Sequence, residues 1–255
     1  MPLKDKLLLE WELLRRAGAA ASWLPVGHGL LPSDDLQIRA RRYLALAQGI
    51  IGLAGAVVLW AAGQIWAQPV AAVLAVATIV LLSGARNWQG FAATLDGLSP
   101  APGDSGMLHR LQTDRLGVSG VMGVALGLAL IVAILATVPL RQGSALLVAG
   151  LMLGGMAQVH IKATTLPVRR EGMQAKLFEI TDDGYRVALA TTTLALALCL
   201  PVLDTGGAVS ACAGAILGGQ IMRWLSVREM GGYTRETLGA VQVMAMLGAM
   251  AGAAI

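Results

Sequence analysis

The sequence predicts an all-α, polytopic membrane helix bundle, and three observations lead to this class. Hydrophobic residues make up 56% of the 255 residues and charged residues only 13%, whereas soluble domains carry about 25% charged residues. Aromatic residues contribute 4% and glycine contributes 32 residues, a composition that suits close helix packing in a bilayer. The apolar segments are continuous rather than alternating, which disfavours a β-barrel.

Seven apolar segments approach the roughly 20 residues that a spanning helix needs. They are 43–66, 69–85, 117–139, 144–163, 185–203, 206–225 and 237–255. The second segment is short and the last ends at the chain terminus, so six spans are the alternative. The chain is therefore divided into an interfacial segment, residues 1–42, and a transmembrane helical domain, residues 43–255.

The first helix is predicted to lie on the membrane rather than to cross it. Leu7, Leu8, Trp11 and Leu14 fall on one helical face, with charged side chains elsewhere. Charges throughout the first half of residues 1–25 leave no apolar core for a cleavable signal peptide. This pattern is typical of an interfacial amphipathic helix in contact with the lipid bilayer.

The positive charges predict the orientation of the chain. All of the 19 Lys and Arg residues except Arg141 fall before residue 43 or within 86–116, 162–186 and 223–235. Basic loops stay in the cytoplasm, so we expect a cytoplasmic N-terminus in the inner membrane and any active site at the cytoplasmic face. Topology thus explains the net charge of +4, and no nucleic acid partner is needed.

Small residues at helical spacing predict close contacts between helices. The sequence has four Gly-x-x-x-Gly pairs, at Gly123 and Gly127, Gly150 and Gly154, Gly214 and Gly218, and Gly248 and Gly252. Such spacing lets two backbones approach closely. We favour packing within one bundle, and a homo- or hetero-oligomer through these faces is the alternative.

Three polar stretches carry the residue types that phosphate chemistry needs. The first stretch is NWQGFAATLDG at 87–97, the second is QTDRLGVSG at 112–120, and the third is REMGGYTRETLGA at 228–240. Acids at a membrane edge can hold Mg²⁺, while Arg and helix N-termini bind phosphate. The alternative interpretation is structural, because Gly-Gly and Asp-Gly mark turns and Thr caps helices.

Taken together, the three stretches resemble the cobalamin-5′-phosphate synthase family (adenosylcobinamide-GDP ribazoletransferase). The similarity begins with WLPV at 23–26, passes through Asp96-Gly97 and DRLG at 114–117, and ends with GGYTRETLGA at 231–240. The family has Gly-Gly-x-Thr-Gly-Asp-x-Leu-Gly-Ala at this last point. The resemblance implies an inner-membrane transferase that joins adenosylcobinamide-GDP to α-ribazole or its 5′-phosphate, releases GMP and uses Mg²⁺.

The resemblance also implies residue roles. The predicted catalytic residues and Mg²⁺ ligands are Asp96, Asp114 and Glu236. The predicted phosphate-binding residues are Arg115, Arg228 and Thr234. The substrate would be a nucleotide-activated corrinoid.

The first stretch departs from the family's pattern of a His followed by three acids. Asn87 stands at the His position, Gln89 and Ala93 stand at two acid positions, and only Asp96 keeps its acid. Asn and Gln offer an oxygen to a metal without a charge, and Ala offers neither. Two hypotheses follow: a Mg²⁺-dependent membrane transferase, or a non-catalytic relative that serves as a membrane scaffold or partner subunit.

Overall fold

The computed structural model describes residues 3–27, 33–99, 106–111, 117–168 and 180–254. In these ranges the chain forms α-helices and short 3₁₀ helices, with an isolated bridge between Pro167 and Tyr233 and no strand. The α-helices are α1 (Leu3–Ala21), α2 (Asp34–Ala40), α3 (Leu44–Ala62), α4 (Gln68–Ser83), α5 (Arg86–Leu98), α6 (Met107–Leu111), α7 (Val118–Thr137), α8 (Leu140–Thr164), α9 (Asp182–Met230) and α10 (Arg235–Ala253).

Five helical segments of the described chain are long and apolar enough to cross a membrane. They are Asp34–Ala62, which includes α3, and α7, α8, α9 and α10. Helices α4 and α5 meet at a bend of 89°. They form a sixth segment of this kind if the two helices are counted as one span. The helical membrane bundle is confirmed, and the predicted count of seven spans is not.

Helix α9 contains a break at Asp204, which has a non-helical backbone with φ 55° and ψ 177°. The Asp204 carboxylate accepts a hydrogen bond of 2.7 Å from the Gly207 N–H, so it caps the helix that follows. Residues on both sides of the break line one cavity, described below. The limbs 182–203 and 205–230 therefore fold back against each other, and the turn lies where the sequence predicted a connection.

Glycine packing joins the second limb of α9 to α10. A Cβ atom at Gly214 would overlap the carbonyl oxygen of Gly248, and a Cβ at Gly248 would overlap that of Gly214. A Cβ at Gly218 would overlap the Met244 carbonyl in the same way. Two of the predicted Gly-x-x-x-Gly pairs thus meet each other within one chain, which favours intrachain packing over an oligomer face.

This contact predicts a large loss of stability in Gly248→Leu. Because the new side chain meets backbone rather than a movable side chain, we expect a loss of about 2 kcal/mol. Thermal unfolding in detergent measures the change. Gly106→Leu is the matched control, because no atom lies within 4 Å of a Cβ at Gly106, and an equal effect in both variants would contradict the prediction.

Helix α1 is fixed to the bundle by polar contacts of Glu10, on the same side as its buried Leu13 and Ala17. The Glu10 carboxylate accepts hydrogen bonds from Arg42 at 2.6 and 2.7 Å and from the Tyr43 hydroxyl at 2.7 Å. The apolar side chains of Leu7 and Trp11, also on α1, are 62% and 60% exposed. This exposed edge suits the predicted interfacial role, which stays a prediction.

Helix α5 contains the residues RNWQGFAATLDGL, which the sequence placed in a polar loop. That expectation was wrong, because residues 86–98 form a continuous helix. The chain turns sharply before it through two left-handed residues, Gly84 at φ 61° and Ala85 at φ 55°. The first stretch is consequently held on a rigid helix within the bundle rather than on a connecting loop.

Candidate functional site

Helices α5 and α10 cross in direct backbone contact, which brings the first and third stretches together. A Cβ atom at Gly90 would lie 2.6 Å from the carbonyl oxygen of Glu236, and one at Gly239 would lie 2.9 Å from that of Asn87. Real Cβ atoms do not approach other atoms this closely, so only glycine permits the crossing. Two polar stretches that lie far apart in sequence therefore form one surface.

The face of α5 next to this crossing carries the positions at which the family pattern has acids. Gln89, Ala93 and Asp96 recur at helical spacing, so they share one side of α5. Gln89 is exposed, whereas Ala93 and Asp96 are half-buried. The structure thus groups these three positions on one face of α5. Only one of the three, Asp96, holds a carboxylate in this chain.

The Asp96 carboxylate caps helix α7. Its Oδ2 accepts the Gly117 N–H at 2.7 Å and its Oδ1 accepts the Gly120 N–H at 2.7 Å. The first N–H groups of a helix have no partner within the helix, and a carboxylate there also interacts favourably with the helix dipole. Asp96 therefore has a structural function that the sequence analysis did not predict for it.

Asn87, at the family's His position, belongs to a buried hydrogen-bond network. The Gln158 amide donates to the Asn87 side-chain oxygen at 3.2 Å and to the Leu238 carbonyl oxygen at 2.9 Å. Gln158 is only 6% exposed, and it links α8 to α5 and α10. A glutamine inside an apolar span needs a partner, and that signal could have identified this residue from the sequence.

The predicted residues of the third stretch have mainly local contacts. The Thr234 hydroxyl accepts the Thr237 N–H at 3.3 Å, and the Thr237 hydroxyl accepts the Thr234 N–H at 2.8 Å, so the pair caps α10. Glu236 is half-buried in the first turn of α10. Arg228 lies over the Trp224 ring, with its guanidinium carbon 5.3 Å from the ring centroid, and its side chain is 63% exposed.

The described residues include two of the three predicted Mg²⁺ ligands, Asp96 and Glu236. Asp114 and Arg115 lie outside the described part of the chain. Elsewhere, no three His, Cys, Asp or Glu side chains of the described residues are grouped to hold a metal. Each carboxylate oxygen of Asp96 already accepts a hydrogen bond from a backbone N–H.

Comparison with known proteins identifies the family. The family model for cobalamin-5-phosphate synthase matches residues 14–254. Adenosylcobinamide-GDP ribazoletransferase of Bradyrhizobium diazoefficiens is 31% identical over 234 residues, covering 90% of this chain and 88% of the relative. The enzyme with this name from Azorhizobium caulinodans is 33% identical over 216 residues, covering 82% of this chain and 81% of the relative. The one from Roseiflexus sp. is 31% identical over 232 residues, covering 89% of this chain and 84% of the relative. No solved structure matches the chain. The chain, with its multi-pass helical bundle, therefore belongs to the cobalamin-5-phosphate synthase family of membrane transferases.

Proposed function

We propose that this chain acts on the substrates of its family, joining adenosylcobinamide-GDP to α-ribazole with release of GMP, at low turnover. The observation that supports this proposal is the crossing at Gly90 and Gly239, which joins the first and third stretches in one surface. We place this surface at the cytoplasmic side of the inner membrane, where the basic loops are expected.

The expected chemistry explains why turnover should be low. A ribose hydroxyl attacks phosphorus and GMP leaves, so the site must stabilise negative charge on phosphate oxygens and position the hydroxyl. On the α5 face, Gln89 and Ala93 bring no charge, and the Asp96 carboxylate is held by two backbone N–H groups. Glu236 is the remaining described carboxylate of the predicted set, and it is the one we assign to the hydroxyl.

A second candidate function is a non-catalytic membrane scaffold or partner subunit, and one observation favours it. Among the described residues, four that lie in the family-like stretches are used by the fold of the chain itself. Asp96 caps α7 and Thr234 caps α10, while Gly90 and Gly239 permit the helix crossing. The replaced acid position at Gln89, in contrast, is exposed. GMP release by the purified protein, argued in the Discussion, separates the two candidates.

The proposed orientation predicts the side from which surface positions react. In a background without Cys199 and Cys212, we expect Glu229→Cys to react with an impermeant thiol reagent only from the cytoplasmic side. Gln64→Cys, between α3 and α4, should react only from the periplasmic side. Both native side chains are exposed, so access is not limited by packing, and the opposite pattern would reverse the proposed topology.

A further inference from the structure

A cavity of about 490 Å³ lies between α8 and the two limbs of α9. Its size falls in the range of sites that bind small molecules, and its walls are mainly apolar, as such sites usually are. Leu153, Leu189 and Leu196 are among the lining side chains. The family resemblance assigns no role to this part of the molecule.

The cavity is separate from the candidate site. Gln158 on α8 donates its hydrogen bonds to Asn87 and Leu238, on the side of the candidate site. His160 lines the cavity and follows two residues later, which places it roughly 200° further around the helix. The cavity and the candidate site therefore lie on different sides of α8.

The cavity opens onto the lipid-facing surface of α9. Leu189 and Ile216, one from each limb, both line the cavity and are 47% and 63% exposed. Leu194 and Leu198, elsewhere on the first limb, are 63% and 73% exposed. An apolar surface of this kind on a membrane protein faces the acyl chains, so a ligand enters from the bilayer rather than from water.

One end of the cavity is polar, and the guanidinium of Arg223 lies next to it, outside the lining, in contact with Gln220. His160 Nδ1 lies 3.1 Å from the Tyr185 hydroxyl, and both residues line the cavity. Gln220, also in the lining, accepts a hydrogen bond of 3.2 Å from Arg223 Nη1, and Arg223 Nε donates to the Thr165 hydroxyl at 2.8 Å. Asp and Glu are absent from the described lining. This end therefore suits an anionic group, while the rest suits an acyl chain.

We propose that the cavity binds one anionic phospholipid, with an acyl chain between the limbs of α9 and its phosphate at the end lined by His160, Tyr185 and Gln220, next to Arg223. An acyl chain in the cavity would contact its apolar wall, and many such contacts together add substantial dispersion energy. A guanidinium forms charge-assisted hydrogen bonds to phosphate oxygens. The site is independent of whether the chain transfers ribazole.

Lipid retention tests this site. The purified full-length chain is exchanged into detergent with equal amounts of phosphatidylglycerol and phosphatidylcholine of the same acyl chains, and bound lipid is counted by native mass spectrometry. We expect one phosphatidylglycerol per chain. It should be retained roughly tenfold better than phosphatidylcholine, a difference in binding free energy of about 1.4 kcal/mol. Arg223→Gln should abolish this preference, because it removes the charge.

Filling the cavity provides the decisive variant. Ala157 lines the cavity, so Ala157→Phe should lower phosphatidylglycerol retention by roughly tenfold, the same factor of about 1.4 kcal/mol. Leu194→Phe, on the lipid-facing surface outside the lining, is the matched control and should retain lipid as the parent does. Thr193→Phe, in the lining on the opposite wall, replaces Ala157→Phe if that variant does not elute as a single folded species. Equal retention in the filled and control variants, or equal binding of both lipids to the parent, overturns the proposal.

Discussion

The unmodified chain is expected to release GMP only slowly from adenosylcobinamide-GDP in the presence of α-ribazole and Mg²⁺, and Gln89→Asp with Ala93→Asp is expected to raise the rate by about a hundredfold. Stabilising charge in a phosphoryl transition state by a bound metal contributes several kcal/mol, and each 1.36 kcal/mol is a factor of ten in rate. The two positions share a face of α5 with Asp96, so the double variant would restore three carboxylates in one place.

The control for this experiment keeps the size of the new side chains and omits their charge. Gln89→Asn with Ala93→Asn should leave GMP release at the level of the unmodified chain, because a neutral amide contributes an oxygen to a hard cation without the charge. Isothermal titration with Mg²⁺ gives a second readout, in which only the Asp pair should bind more tightly.

The outcomes separate the two candidate functions. Rapid turnover by the unmodified chain would show that the altered stretch is sufficient for catalysis, and the scaffold function would be wrong. No turnover before or after the Asp pair is introduced, in a protein that remains folded, would favour the scaffold or partner subunit. Turnover only after the change would mean that the site is otherwise intact and that Gln89 and Ala93 limit the unmodified chain.

The bundle itself could be predicted from the sequence because its determinants are local. Long apolar runs give helices in a bilayer, where every backbone group must be satisfied internally. The break between the limbs of α9 falls at Asp204, a short polar interruption between two apolar segments. The Gly-x-x-x-Gly pairs also predicted close helix contacts, although the spacing alone did not show that Gly214 and Gly248 face each other.

Helix α5 could not be predicted in the same way, because its position depends on contacts far apart in sequence. Its amphipathic residues are compatible with a loop or a surface helix, and the bend before it uses Ala85 in a left-handed conformation that alanine seldom adopts. Its close approach to α10 depends on Gly90 and Gly239, two glycines among 32. Nothing local distinguishes these two from glycines in turns.

The individual roles in the candidate site were the hardest to predict. An acid in an Asp-Gly pair at a membrane edge suits a metal ligand and a helix cap equally well. The choice for Asp96 depends on Gly117 and Gly120, whose N–H groups reach it from the next span. Asp114 and Arg115 stay predictions, since they lie outside the described residues.

Asp96→Ala is expected to destabilise the protein even when metal is absent. The variant removes a carboxylate that accepts two backbone N–H groups at 2.7 Å, from Gly117 and from Gly120. Hydrogen bonds to charged groups are worth about 1.5–3 kcal/mol each, so a loss of about 3 kcal/mol is expected. Thermal unfolding in detergent with excess EDTA measures the effect without any contribution from bound Mg²⁺.

Glu236→Ala is the matched control for this experiment, because it removes another predicted metal ligand that is also half-buried near a helix N-terminus. The expected change in Tm is several times smaller, since the Thr234 and Thr237 pair already caps α10. If Asp96→Ala unfolds at the temperature of the parent in EDTA, the capping function is wrong and a purely chemical role for Asp96 is favoured. If it loses stability as expected, the presence of Asp96 in this chain is no evidence for catalysis, because the fold alone requires a carboxylate at that position.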